Sequence, residues 1–504
     1  MFMKSKIKLE AKSVFSIILL LAIVAIVIIC FSSGISGNDF WWHIKVGEYI
    51  NSNHSIPTTD IFSWIGMEKG ISWTAHEWLS DLLFYCIYQA TGSIGIFLLS
   101  ILLAFTMTFF LWKEAKDHIK NNILIGGLFL ALFAVLTSLF FYGRPHVFGF
   151  FLLFFELRIL YHFYNNPTSK RIWLIPLLAV LWSNLHGGSS NLSYILCLLF
   201  LCIGVIKIKI GRIYSDRLNK KSILILGGVS IATIGAIFIN PIGAKVFIYP
   251  YQSFGDTISM TIISEWQAPD AKLIGNLVLY FVPIALLTIG LIASEKRIAL
   301  IDLGVMTLFL FLFFRSSRFI IMWYISAVFY GLKYMPECKV KAIKHNWETI
   351  AVSVCAVLLL IPIGYGVKKT VDTAKLSGLI STAMSDQAIS AIKEDGPKRI
   401  FNDYNVGETL IYNDIPVFFD ARADLFAQQN IMADGVSLMF LEQANPEKKT
   451  GYVDVNELID DYKIDSIVIL KARPLYSFII SHPEKYQLVF EDSEIAYFRV
   501  KGEI

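Results

Sequence analysis

Long apolar blocks separated by short polar stretches dominate the chain, and they follow neither the alternation of a half-buried strand nor the 3.6-residue stripe of a surface helix. They run over about 14–32, 95–112, 123–142, 147–164, 172–186, 190–207, 222–239, 276–293, 299–314, 319–336 and 348–366. A bilayer core of about 30 Å needs roughly 20 apolar residues in a helix, because backbone groups in lipid have to satisfy one another within the segment. The pattern therefore predicts an α-helical polytopic membrane protein with about eleven transmembrane helices, the fifth and ninth of them short.

Two segments break the rhythm of short loops: 33–94, between the first two spans, and 367–504, after the last. Soluble chemistry is expected there and at the helix ends. Within the first, the stretches Asp39 to Asn51 and His76 to Tyr88 each predict a helix lying in the membrane interface, a depth that suits Trp41, Trp42, Trp73 and Trp78. A further excursion from Asn240 to Leu273 carries Tyr249, Tyr251, Phe254 and Trp266 and reads as another interfacial segment. The closing segment alternates helical patterns with short apolar strands at Arg399 to Phe401, Ile415 to Phe419 and Ile464 to Leu470, and ends in a hairpin near Leu488 to Val500. That predicts a small α/β domain over 367–504 behind a membrane domain over 1–366 that includes the loop 33–94. No internal repeat of useful period is visible, which counts against the duplicated halves common in transporters.

Composition agrees: of 504 residues, 55% are hydrophobic and 17% charged, and the mean hydropathy is +0.59. Charge adds the orientation. Lys4, Lys6, Lys8 and Lys12 precede a first block that is too long for a signal-peptide core and is followed by no A-x-A-like site, so it reads as a retained anchor with the N-terminus in the cytoplasm. On that arrangement most loop lysines and arginines fall inside. The outside loops before the closing domain hold only Lys45, Lys69, Arg144, Lys245, Lys272, Arg315 and Arg318. An odd number of spans then places the C-terminal domain on the extracytoplasmic side of the cytoplasmic membrane. The net charge of +4 reflects the inside lysines and not nucleic-acid binding, for which no motif is present. Cys30, Cys197, Cys202 and Cys355 lie in apolar blocks, Cys338 on the cytoplasmic side and Cys86 in the first loop, so no exported disulfide framework is available.

The chemistry-bearing residues cluster at the outer membrane boundary. Asp39 and His43 open the first loop, and His76 and Glu77 close it. A carboxylate beside aromatic rings and lipid is partly desolvated, which makes it a better general base, and a second acid can orient an acceptor or bind a divalent metal. The competing reading is that Asp39 caps a helix and Glu77 faces water. Four further polar clusters recur at the same depth: Arg144-Pro145-His146, Asn184-Leu185-His186, Ser264-Glu265-Trp266 and Arg315-Ser316-Ser317-Arg318. Arginines there bind phosphate by paired hydrogen bonds, or else snorkel to lipid headgroups, and His146 and His186 either join a site or are structural. In the closing segment Asp403, Asp420, Arg422 and Asp424 make either a binding edge or salt-bridged turns that pack it onto the membrane domain. No glycine-rich phosphate loop, HExxH or CxxC is present, and no cofactor is implied by motif.

Residues 39–81 resemble the first outer loop of bacterial membrane proteins with the C-type glycosyltransferase (GT-C) architecture. The resemblance rests on Asp39-Phe40-Trp41-Trp42-His43, the turn Ile56-Pro57-Thr58-Thr59-Asp60-Ile61-Phe62-Ser63, and Trp73-Thr74-Ala75-His76-Glu77-Trp78-Leu79. It continues through Arg144-Pro145-His146, Asn184-Leu185-His186-Gly187, Asn240-Pro241, Ser264-Glu265-Trp266, Arg315 to Phe319, Phe401-Asn402-Asp403-Tyr404 and Asp420 to Asp424. In protein O-mannosyltransferases and aminoarabinose transferases of this architecture, a polyprenyl-phosphate sugar enters from the bilayer and an acid of the first outer loop assists the acceptor. The resemblance implies an inverting transferase using a polyprenyl-phosphate sugar donor and an envelope glycan, lipid or protein acceptor outside the cytoplasm. It casts Asp39 as base, Glu77 as its partner and Arg144, Arg315 or Arg318 as phosphate ligands; His43, His76, His146, His186 and Glu265, at the same depth, are expected to bind substrate with these arginines. The adjacent Asp-Glu pair of the O-mannosyltransferases and the WWD-type motif of oligosaccharyltransferases are absent. Two other readings stay open: a lipid-linked glycan flippase that uses the same arginines without breaking a bond, and a non-catalytic envelope assembly factor.

Overall fold

A computed structural model describes residues 39–119, 123–141, 143–255, 260, 263–336, 384–427, 430–444 and 453–501. Among them, five helices are long and apolar enough to cross a membrane: Trp78–His118, His146–Asn165, Gly187–Gly204, Lys220–Ile237 and Ile274–Ala293. Their outward faces carry Leu98, Leu224, Ile231 and Ile292 in the open, exposure that lipid tolerates and water does not. The protein is a membrane protein.

The other expected spans are shorter helices or lie elsewhere. Block 123–142 forms Ile123–Phe140, while the fifth and ninth blocks form Leu174–Leu185 and Leu300–Arg315, of 12 and 16 residues. The tenth begins as Ile320–Ser326, widens into a π-helical turn over Ala327–Gly331 and tightens into a 3-10 turn over Leu332–Tyr334. The expected spans 14–32 and 348–366 lie outside the described residues. The predicted interfacial stretch His76 to Tyr88 and the span 95–112 belong to one long helix, Trp78–Ile119, broken at Gly92, where φ 65° and ψ −160° suit only glycine. That break lets the first half depart from the direction of the second.

Where loops were expected at the ends of these helices remote from Glu77, three short strands pair: β1 (Ile208–Ile210) with β2 (Ile213–Ser215) antiparallel, and β2 with β3 (Ile298–Ala299) parallel. The closing segment builds a second sheet from β4 (Ile400–Asn402), β5 (Ser466–Leu470), β6 (Tyr486–Glu491) and β7 (Ile495–Val500), in the order β4-β5-β7-β6. β4 and β5 are parallel and the rest antiparallel. Ile415 to Phe419, predicted as a strand, does not join this sheet. Its Val417 instead bridges to Ser63 of the first loop, with Trp64 N donating to Val417 O (3.0 Å) and Val417 N to Phe62 O (3.1 Å).

That clasp makes the first loop and the closing segment one body. Trp42, Trp64 and Trp73 share an apolar core with Phe401, Phe418 and Ile467, and the Trp64 indole donates to Ile400 O. At its centre Arg422, buried, donates to Asp420 and to Asp60 Oδ1 (2.8 Å), with its guanidinium over the rings of Phe62 and Trp73. Of the two readings of the Asp420–Arg422 cluster, packing is the one this geometry serves.

Candidate functional site

A cavity of about 470 Å³ lies where the first loop, several helix ends and the closing segment meet. Asp39 sits at the start of helix Phe40–Asn53, Glu77 just before Trp78–Ile119, and Arg144 just before His146–Asn165. His186 follows Leu174–Leu185, and Arg318 precedes Ile320–Ser326. Gly143 makes the approach of Arg144 possible. Its φ is 30°, and a Cβ there would come within 2.7 Å of the Phe40 ring.

Asp39 occupies a capping position without capping: its side chain makes no bond to the helix start. The job is done from the other end of the chain, by Glu408, whose Oε2 accepts from Trp41 N at 3.0 Å. The Asp39 carboxylate instead turns to Arg144 (3.0 Å), which also donates to Glu265 (3.1 Å). Burial pushes the Asp39 carboxyl above its ordinary range, and Arg144 offsets part of that rise. For Glu265 burial acts in the same direction, but Arg144 and Arg318 together pull it below its usual value. Arg318 lies over the Trp266 ring, 5.1 Å from its centroid, and ion-pairs with no carboxylate among the described residues.

Glu77 is the pivot of a second cluster. His186 Nε2 lies 3.2 Å from its Oε1, His76 Nε2 3.8 Å from the same atom, and His43 Nε2 4.0 Å from Oε2. Burial, reinforced by the Asp39 charge, pushes the Glu77 carboxyl up to about 8. Burial likewise lowers His76 to about 4 and His43 well below 6.5, so both rings are neutral at physiological pH. The Trp182 indole donates to Ser189 Oγ (2.9 Å), which lies 2.6 Å from His186 Nδ1 and so fixes the ring that faces Glu77. His43 Nδ1 is held 2.6 Å from Asp81.

The cavity wall thus contains Asp39, His43, His76, Glu77, Arg144, His146, His186, Glu265 and Arg318. Arg315 is exposed and outside it. His146 points its Nε2 at the Phe140 carbonyl, 2.6 Å away. Sequence reasoning missed a roof supplied by the closing segment, where Tyr404, Asn405, Phe440 and Arg473 face the cavity alongside the noticed Asp424. It also missed Trp42 in the wall, whose buried indole N–H has no partner among the described residues. No signal local to Phe440 or Arg473 marks them as near a site formed around residue 39. Among the described residues no three His, Cys, Asp or Glu side chains group as metal ligands. The pair best placed to start such a group, Asp39 and Glu265, already shares the Arg144 guanidinium.

No protein-family model and no curated protein matches the chain. Solved structures do. Over 90% of its length it superposes on 68% of an Archaeoglobus fulgidus oligosaccharyltransferase tethered to an acceptor peptide containing an NVT sequon, with TM-score 0.50 and 11% identity. The oligosaccharyltransferase AglB of the same organism, in complex with an inhibitory peptide and a dolichol-phosphate, matches over 90% of this chain and 69% of its own, with TM-score 0.51 and 11% identity. What the chain shares with these structures is the fold.

Proposed function

We propose that the protein transfers a sugar from a polyprenyl-phosphate donor to an extracytoplasmic acceptor, an envelope glycan, lipid or protein, with inversion at the anomeric carbon. The observation that carries this reading is the convergence, at one end of the membrane helices, of a carboxylate held by an arginine, a second carboxyl near neutrality and the unpaired cation of Arg318. A flippase would need a polar passage onward. Beyond the cavity, however, helix His146–Asn165 buries Leu153, Phe154 and Leu157 in the apolar core.

Asp39 accepts the proton of the acceptor hydroxyl as its oxygen attacks the anomeric carbon. The bond from that carbon to the phosphate oxygen breaks, and the electron pair leaves with the lipid phosphate, where Arg318 balances the charge. One displacement inverts the centre. Glu77, when protonated, donates to a substrate oxygen, and the buried Trp42 N–H suits a sugar hydroxyl. In this reading 1–366 is the transferase domain and 367–504 its extracytoplasmic roof, in a multi-pass protein of the cytoplasmic membrane with a cytoplasmic N-terminus.

Lipid extracted from the purified protein should contain a polyprenyl phosphate by mass spectrometry. In Arg318→Ala its retention should fall, and the donor KM rise about ten- to a hundred-fold with kcat little changed, the range expected for losing one charged hydrogen-bond partner. Phospholipid alone in the wild-type extract argues against the donor class. Glu77 adds a pH test. Its carboxyl loses the proton as pH rises through about 8, so kcat/KM should fall on that limb. In Glu77→Gln, which donates without titrating, the limb should vanish; its persistence would assign the alkaline pKa to another group.

A further inference from the structure

The helices that end in the catalytic cavity run to a second, separate one at their opposite ends, of about 420 Å³. Trp78–Ile119 brings Glu114 and His118 there, and His146–Asn165 brings Arg158, Tyr161 and His162. Arg171 comes from the turn that opens Leu174–Leu185, and Lys333 from the turn that ends the stretch begun by Ile320–Ser326. The sequence reading gave this cluster no role, and the transfer reaction uses none of it.

Its charges are not equivalent. Lys333 is fully engaged: its ammonium lies 2.6 Å from Asp302, donates to the Tyr161 hydroxyl at 2.8 Å and sits 4.6 Å from that ring's centroid. Arg158 pairs with Glu114, its Nη1 3.2 Å from the carboxylate, and remains half exposed, so its five-donor fork can also meet a second anion. Arg171 is exposed and has no acidic partner among the described residues. His162 lies one helical turn beyond Arg158, on the same face. Beside Arg171, Trp173, Leu174 and Leu177 are exposed at 54%, 47% and 58%. An exposed tryptophan next to arginine, followed by exposed leucines on a membrane helix, marks the boundary between headgroups and acyl chains.

We propose that this cavity binds the headgroup phosphate of an anionic phospholipid from the leaflet opposite the catalytic cavity. The phosphate lies between Arg158 and Arg171, with the acyl chains running along Leu174 and Leu177. The apolar flank distinguishes this from a site for a soluble anion, which would gain nothing from exposed leucines. Basic pockets between membrane helices are a recurrent way to hold acidic headgroups, and the same helix ends carry Lys113, Lys116, Lys170 and Lys296, which raise the local potential. Contact with two arginines on different helices would tie Trp78–Ile119 and His146–Asn165 to Leu174–Leu185 at the end remote from the reaction.

The test uses the full chain in nanodiscs and in mild detergent. Native mass spectrometry of wild-type protein offered equal phosphatidylglycerol and phosphatidylcholine should show preferential retention of phosphatidylglycerol. Arg158→Gln with Arg171→Gln should weaken that retention about fivefold per arginine while leaving the donor KM unchanged. Should the double variant fold poorly, Arg171→Glu alone, on an exposed turn, should show the same loss. Equal retention of the two lipids by the wild type, or equal phosphatidylglycerol retention by wild type and variants, would overturn the proposal. So would displacement of the lipid by millimolar inorganic phosphate, which would identify a site for the free anion.

Discussion

Asp39→Asn is expected to leave the protein folded and loaded with donor while slowing sugar transfer by about 10²–10⁴, the usual contribution of a positioned general base. Two structural facts make the substitution clean. Asp39 does not cap its helix, because Glu408 does, so the amide removes no capping bond. Arg144 loses one carboxylate partner and keeps Glu265 at 3.1 Å, so no buried guanidinium is left alone. Asparagine preserves the shape of the side chain and removes its basicity, and the defect should fall on kcat at saturating donor and not on donor binding. Single-turnover measurement with preloaded donor isolates that step. Transfer at the wild-type rate would strip Asp39 of its role, and intact transfer with blocked lipid movement would instead favour the flippase.

The second large effect concerns folding. Arg422→Ala leaves two carboxylates, Asp60 and Asp420, buried and without their shared cation. Breaking a buried pair from one side commonly costs about 3–5 kcal/mol, because the remaining charge has no water to turn to. Phe62, Trp73 and Phe426 lose the guanidinium packed on their faces as well. Arg422→Lys should rescue little, since an ammonium cannot satisfy both acids with the planar fork that donates to Asp420 through Nε and Nη2 while Nη1 reaches Asp60. Thermal unfolding in detergent and limited proteolysis of the first loop would read the loss. A melting temperature equal to wild type would mean that the cluster is not what joins loop and roof.

How much of this was legible in the chain differs from element to element. Five membrane helices were, because lipid demands long apolar runs, and so was the depth shared by Asp39, Glu77, Arg144, Glu265 and Arg318. Ile415 to Phe419 looked like a strand because β-branched and aromatic residues dominate it. Its hydrogen-bonding partner is Phe62 to Trp64, hundreds of positions earlier, which no local pattern announces. Arg315 and Arg318 were indistinguishable in sequence. The tight turn between them separates the two: Ser317 N donates to Gln267 O and Arg318 N to Glu265 O, which turns Arg318 inward over Trp266. Asp39 carried the local signature of a helix cap, and only the competing carboxylate of Glu408 releases it. The roof was illegible for the same reason, since Phe440 and Arg473 acquire meaning only from the distant segment they cover.

Glu408 lies 367 positions after the backbone amide it caps. In a chain synthesised from its first residue to its last, the helix bearing Asp39 therefore waits, with its leading amide unanswered, until most of the protein has left the ribosome. Arg422 reaches Asp60 later still. A nascent or prematurely terminated chain holds every residue of the first loop and nearly every described membrane helix, yet has neither the cap nor the roof. On the proposed function, competence for transfer would be a property of the finished polypeptide, and an incomplete one inserted in the bilayer would consume no lipid-linked sugar.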